Sequence, residues 1–240
     1  MKKRYWNIKF KEMMEVGIHF GHGIRNRNKI HGKITHTYNY YYYMRVSIHI
    51  LNLTRTAHFL LEACELVLHA ANKGKNFLIV GKKKKHNSIV SIAKKNRCHY
   101  FKKKWLGGLL TNWYTIEIKL LNLRNLEVEQ KGNTAILNKL KIFFQTFLVG
   151  IKYMIRLPDI VIIFGLQENY KILRECTYMG ITTILLKKCN SNTALADILI
   201  SANEDALASI QLILKKLVFY INEGLNYYYF NNNKIILALS

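Results

Sequence analysis

The chain has 240 residues, with 37 Lys and Arg against 14 Asp and Glu, for a formal charge of +23. Hydrophobic residues make up 50%, enough for a real core, which excludes disorder throughout and suits one domain with an insertion. Self-repulsion of this size is tolerable mainly when a polyanion neutralises it, so nucleic acid is the leading class of partner.

Residues 1–47 read as a basic arm. Its opening, Met1-Lys2-Lys3-Arg4-Tyr5-Trp6, lacks the apolar stretch of a secretory signal. Ile48 to Leu53 reads as a strand, and Thr54 can cap a helix through Phe59, Ala63, Leu66 and Ala70 to Gly74, giving one β-α unit. Phe77 to Val80 follows as a buried strand, then Gly81, the run Lys82 to Lys85 and a shorter helix around Ile89 to Ala93. His99 to Phe101 forms a third strand, followed by Lys102-Lys103-Lys104-Trp105-Leu106-Gly107-Gly108. From Trp113, Ile116, Leu120, Leu123 and Leu126 fall at helical spacing. After Lys131-Gly132-Asn133 the series Leu137, Leu140, Phe144, Phe147 and Ile151 repeats it, which predicts an antiparallel helical hairpin inserted over 113–155. Ile160 to Phe164 and Thr183 to Leu186 are strands bracketing a helix from Glu168 to Tyr178, closed by Gly180. A last helix runs from Asp205 to about Tyr220, and 225–240 reads as a loose polar tail. The α/β domain therefore spans 48–112 and 156–224, with a parallel sheet covered by helices on both faces.

The apolar runs are too short to span a bilayer, and Lys215-Lys216 interrupts the longest C-terminal one. Cys64, Cys98, Cys176 and Cys189 are far apart without a Cys-x-x-Cys pair, which points to free thiols rather than disulfides or zinc. Gly21-His22-Gly23 begins like a dinucleotide loop, but Asn26 stands where the third glycine belongs; Gly81-Lys82 lacks the upstream glycine of a P-loop. His19 and His22 have no carboxylate or thiol nearby to complete a metal site. Glu12, Glu15, Asp159, Asp197, Glu204 and Asp205 assemble into no nucleophile, base and orienting group. No cofactor, metal, small-molecule substrate or membrane partner is expected. The basic runs carry more weight, because Lys82 to Lys85 and Lys102 to Lys104 follow consecutive strands of a parallel sheet, at the carboxyl ends where such sheets collect ligands. Arg25, Arg27 and Lys29 add to the field. Trp105, beside Leu106, suits the core better than a base stack.

Glu12-Met13-Met14-Glu15-Val16-Gly17-Ile18-His19-Phe20-Gly21-His22-Gly23, then Ile48-His49-Ile50, Trp105-Leu106-Gly107-Gly108-Leu109-Leu110-Thr111-Asn112, Leu157-Pro158-Asp159, Ala202-Asn203-Glu204-Asp205-Ala206 and Glu223-Gly224 resemble the bacterial-type ribosomal protein S2 family along nearly the whole chain. Arg4-Tyr5-Trp6-Asn7-Ile8 resembles its plastid branch. The resemblance implies a flavodoxin-like α/β/α domain with a protruding helical hairpin and no catalytic site. It implies binding to small-subunit ribosomal RNA, with neighbours that include the large mRNA-binding protein of the same subunit. The expected RNA contacts are Arg25, Arg27, Lys82, Lys83, Lys102, Lys103, Lys104 and Asn112, with Trp105, Gly107 and Gly108 shaping a turn. The chain departs from the family pattern in its arm, at Arg27-Asn28-Lys29, and in a short hairpin tip. Its richness in Lys, Asn, Ile, Tyr and Phe, all served by A/T-rich codons, suggests a plastid genome, and a match beginning at Arg4 leaves no room for a transit peptide. The competing readings are a nucleotide-using α/β enzyme, which equilibrium dialysis against ATP and NAD would reveal, and a free RNA-binding regulator, which would sediment apart from ribosomal subunits.

Overall fold

Ile160-Val161-Ile162-Ile163-Phe164 offers no polar side chain to either face, so it suits a strand covered on both sides. In the computed structural model, which describes residues 8–23, 41–45, 48–81, 91–93, 98–101, 105, 107–128, 150–165, 170–187 and 195–239, all five residues are buried in the middle of a parallel sheet. The strands are β1 (Phe20–Gly23), β2 (Tyr41–Arg45), β3 (Ile48–Leu51), β4 (Phe77–Gly81), β5 (His99–Phe101), β6 (Ile160–Phe164), β7 (Thr182–Lys187) and β8 (Ile198–Ser201). The helices are α1 (Phe10–Glu15), α2 (Leu53–Asn72), α3 (Trp113–Val128), α4 (Tyr170–Met179) and α5 (Leu207–Leu239).

The parallel sheet has the order β5-β4-β6-β7-β8. Counted from β4 this is 2-1-3-4-5, the flavodoxin-like order. Strand alternation divides the core into two layers. Phe77, Ile79, Ile160, Ile162, Ile184 and Ile198 face α2 and α5. Leu78, Val80, Val161, Ile163 and Leu185 face the other way, onto Ile172, Leu173 and Cys176 of α4 and onto Trp105, Leu109, Leu110 and Leu120. Each such fully buried aliphatic side chain contributes about 1.5–3 kcal/mol.

Three expectations are corrected. The strand after the arm ends at Leu51 and does not join the parallel sheet: β3 is the centre of a separate antiparallel sheet, order β1-β3-β2. Tyr41-Tyr42-Tyr43 is a β-prone aromatic run opening β2, which ends at Arg45 with only two residues before Ile48, and so short a connection permits an antiparallel hairpin but not a parallel crossover. The cap of α2 is Asn52 rather than Thr54; the Asn52 side chain accepts from the N–H groups of Thr54 (3.1 Å) and Arg55 (3.4 Å). Finally, α5 does not stop near Tyr220 but continues through the tail expected to be loose, for 33 residues. Ile221, Leu225 and Tyr228 extend its buried stripe, Ile221 fully buried and Leu225 packed on the core. The ring of Tyr228 lies against Gly74 at the end of α2. This packing outweighs the poor helix propensity of the asparagines. β8 was not anticipated at all.

The inserted segment leaves the sheet through α3. Leu120 is fully buried and Trp113 and Ile116 pack on the core, while Tyr114, Ile118 and Leu121 are exposed. The expected second arm of the hairpin lies outside the described residues. The chain re-enters at Gly150, whose carbonyl accepts from Tyr100 N–H at 3.1 Å and so covers part of the edge of β5.

Candidate nucleic-acid interface and the joint beneath it

Of the expected RNA contacts, Arg25, Arg27, Lys82, Lys83, Lys102, Lys103 and Lys104 lie outside the described residues. What is described is the scaffold that carries them. β4 and β5 pair in parallel with Val80 opposite Phe101, so the two strands that the lysine runs follow in sequence end side by side. Asn112 is exposed and sits at the start of α3, where its Oδ1 accepts from Thr115 Oγ1 (2.7 Å) and its carbonyl from Ile116 N–H (3.3 Å). Its carbonyl thus takes the first bond of the helix, on a surface a ligand can reach.

The turn between these features is built around a residue the sequence did not single out. Glu175, on α4, is buried. Its Oε1 accepts from Trp105 Nε1 (3.0 Å) and Gly108 N–H (2.8 Å), and its Oε2 from Leu110 N–H (2.9 Å). Three donors compensate a carboxylate that would otherwise be costly to bury. Trp105 is itself buried, edge-on to Phe101 with ring centroids 5.2 Å apart, and belongs to the core. The only signal for Glu175 was an acid inside the apolar stripe Ile172, Leu173, Cys176.

Gly107 and Gly108, alike in sequence, differ in need. Gly108 has φ +87°, whereas Gly107 is exposed with open space around its Cβ position. Gly108→Ala is therefore expected to cost about 1–2 kcal/mol, while Gly107→Ala stays within about 0.5 kcal/mol. Urea denaturation of the two variants measures the difference.

Other motif residues also serve as joints. Asn203, just after β8, donates from Nδ2 to Gly17 O (3.2 Å) and from its backbone to Ile18 O (3.2 Å), fastening the segment before β1 to the parallel sheet. Asp159 Oδ2 accepts from Asn76 N–H (2.9 Å), and Asp197 Oδ2 from Thr183 N–H (2.7 Å), each at the start of a strand. Cys64, Cys98 and Cys176 are buried thiols, and burial pushes each one up to about 12. This is the reverse of the tuning that makes a nucleophile. Among the described residues no group of three or more His, Cys, Asp or Glu could hold a metal ion, and no helix is long and apolar enough to cross a membrane.

Fold and site together define a basic, flavodoxin-like scaffold protein whose motif residues hold segments to one another. Residues 13–224 match the model of the family described as ribosomal protein S2, and the chain belongs to that family. It is a structural protein of the small ribosomal subunit, a family role that is not enzymatic.

Proposed function

We propose that this protein binds small-subunit ribosomal RNA through the edge of the parallel sheet where β4 and β5 end, and that it serves a plastid ribosome. The observation that carries the reading is the adjacency of those two strands, each followed in sequence by consecutive lysines on a chain of net charge +23. Phosphates engaged there neutralise a charge the protein cannot neutralise internally. Asn112 and the arm bearing Arg25 and Arg27 extend the contact, and the joint at Glu175 fixes the turn that follows Lys104. The large mRNA-binding protein of the subunit is the neighbour the family resemblance suggests. The plastid assignment is supported by the codon-linked bias toward Lys, Asn, Ile, Tyr and Phe and by the likeness of Arg4-Tyr5-Trp6-Asn7-Ile8 to that branch.

If about six of these cations meet phosphates, affinity for the RNA falls roughly 10³-fold between 50 and 200 mM salt. Filter binding across that range, with co-sedimentation on plastid small subunits, tests both halves. Salt-independent binding would refute the electrostatic mechanism, and sedimentation apart from subunits would favour a free regulator.

A further inference from the structure

The amino end of the parallel sheet gathers cations and tyrosines that the contact at its carboxyl end leaves unused. α2 closes on Lys73-Gly74-Lys75, with Gly74 at φ +66°. Lys75 N–H returns to Ala70 O (3.1 Å) and Gly74 N–H to Ala71 O (2.9 Å), the paired bonds of a Schellman turn, so these carbonyls of the helix end are already occupied. Arg156 Nη2 donates to Gly74 O at 3.1 Å. The ring of Tyr228 lies against the same glycine, and that of Tyr229 stands edge-on to it with centroids 5.7 Å apart. One glycine therefore ties together a lysine on either side of it, an arginine and a pair of tyrosines. Lys73 and Lys75 are exposed, the Arg156 side chain is 62% exposed and Tyr229 is 51% exposed. Asp159, the acid 3.9 Å from Arg156, is engaged through the same Oδ2, which accepts from Asn76 N–H at 2.9 Å.

We propose that this corner is a second RNA contact, which holds unpaired nucleotides: Lys73, Lys75 and Arg156 meet phosphates, and Tyr229 stacks on a base. An acidic peptide would answer the cations but leave the exposed ring without a role, and a duplex offers no free base face. Arg156 commits one of its five N–H donors to Gly74 O, so others remain for an anion. β4, five residues at ~3.3 Å each, sets this corner about 16 Å from the carboxyl end where the first lysine run begins. The two contacts therefore engage different nucleotides. This inference rests on the RNA-binding reading above and adds to it a mode of recognition, by stacking.

The test measures binding of the full-length protein, by fluorescence anisotropy at low salt, to a labelled uridine oligonucleotide of about twelve residues and to an RNA duplex of the same length. Tyr229→Ala is expected to weaken the single strand roughly fivefold or more, the scale of one stacked base, and to leave the duplex unchanged, while Tyr229→Phe preserves both. Lys73→Gln with Lys75→Gln, which touches no ring and serves if Tyr229→Ala loosens α5, should lower the salt slope for the single strand by about 1.4, two phosphates at ~0.7 each. In assembled small subunits, p-benzoylphenylalanine at position 229 should cross-link to RNA. Single-strand binding unmoved by both variants, equal loss for strand and duplex on Tyr229→Ala, or cross-linking only to protein overturns the proposal. An unmodified protein that binds neither oligonucleotide nor ribosomal RNA counts instead against the RNA-binding reading itself.

Discussion

Replacing Glu175 by alanine is expected to lower the folding free energy by about 3–5 kcal/mol, because Trp105 Nε1, Gly108 N–H and Leu110 N–H lose one shared acceptor group inside the protein. An orphaned buried donor costs more than the bond itself contributes, and two of these three bonds are fully buried. Glu175→Gln separates the causes. Its amide oxygen can still serve the two donors on the Oε1 side, but its NH₂ must then face Leu110 N–H, so a cost of roughly 1–2 kcal/mol is expected. Urea midpoints measure both variants, and near-ultraviolet circular dichroism reports the packing of Trp105. Equal costs for Ala and Gln would mean that the negative charge, not the acceptor geometry, holds the turn. A loss below 1 kcal/mol for Glu175→Ala would mean that the turn stands on its own. Because the turn follows directly on Lys102 to Lys104 and leads into α3, the alanine variant should also enter small subunits less efficiently than Gly107→Ala.

The same turn marks how far the sequence is legible. Strands β4, β6 and β7 are continuous apolar runs, because strands buried on both faces have no polar alternation to blur them. β8 has only Ile198-Leu199-Ile200 between Asp197 and Ser201, too few apolar residues to signal a strand before its neighbour β7 is in place. The first sheet was missed for a different reason. Tyr41-Tyr42-Tyr43 carries clear β propensity, but which strand it pairs with is a tertiary fact, and leaving it within the arm sent the strand expected over Ile48 to Leu53 into the wrong sheet. Within the site, Trp105 and Gly108 are local signals, one for burial and one for a left-handed turn. Glu175 lies 65 residues beyond Leu110, and nothing local announces that an acid on α4 closes that turn. Sequence motifs located the joints; their partners required the fold.

Gly224 shows the same limit and supports the second large prediction. α2 and α5 run the same way along one face of the sheet: Thr56 Oγ1 near the start of α2 donates to Ser201 O (2.7 Å), while Gly224 meets Ala71 near its end. A Cβ on Gly224 would lie 2.5 Å from Ala71 Cβ and 2.7 Å from Leu68 O. Helix propensity alone favours alanine over glycine by about 1 kcal/mol. Overpacking against a backbone carbonyl outweighs that gain, and a net loss of about 2 kcal/mol is expected for Gly224→Ala, with the melting temperature lowered by about 4–8 °C. The sign is the informative quantity, since a stabilised variant would place α5 farther from α2 than described here. Ala71→Gly in the same chain relieves that contact and leaves those with Leu68 O and with Asn72 N, at 3.1 Å, in place. The double variant should therefore recover part of the loss, and the two substitutions should couple by more than about 0.5 kcal/mol, as residues in direct contact do. Strict additivity would show that the strain is borne by the α2 backbone and not by the Ala71 methyl. The helix beyond this contact depends on it, because Tyr228 reaches Gly74 one turn later. Parting the two helices at Gly224 should therefore also unwind the stretch that the composition of 225–240 had suggested was loose.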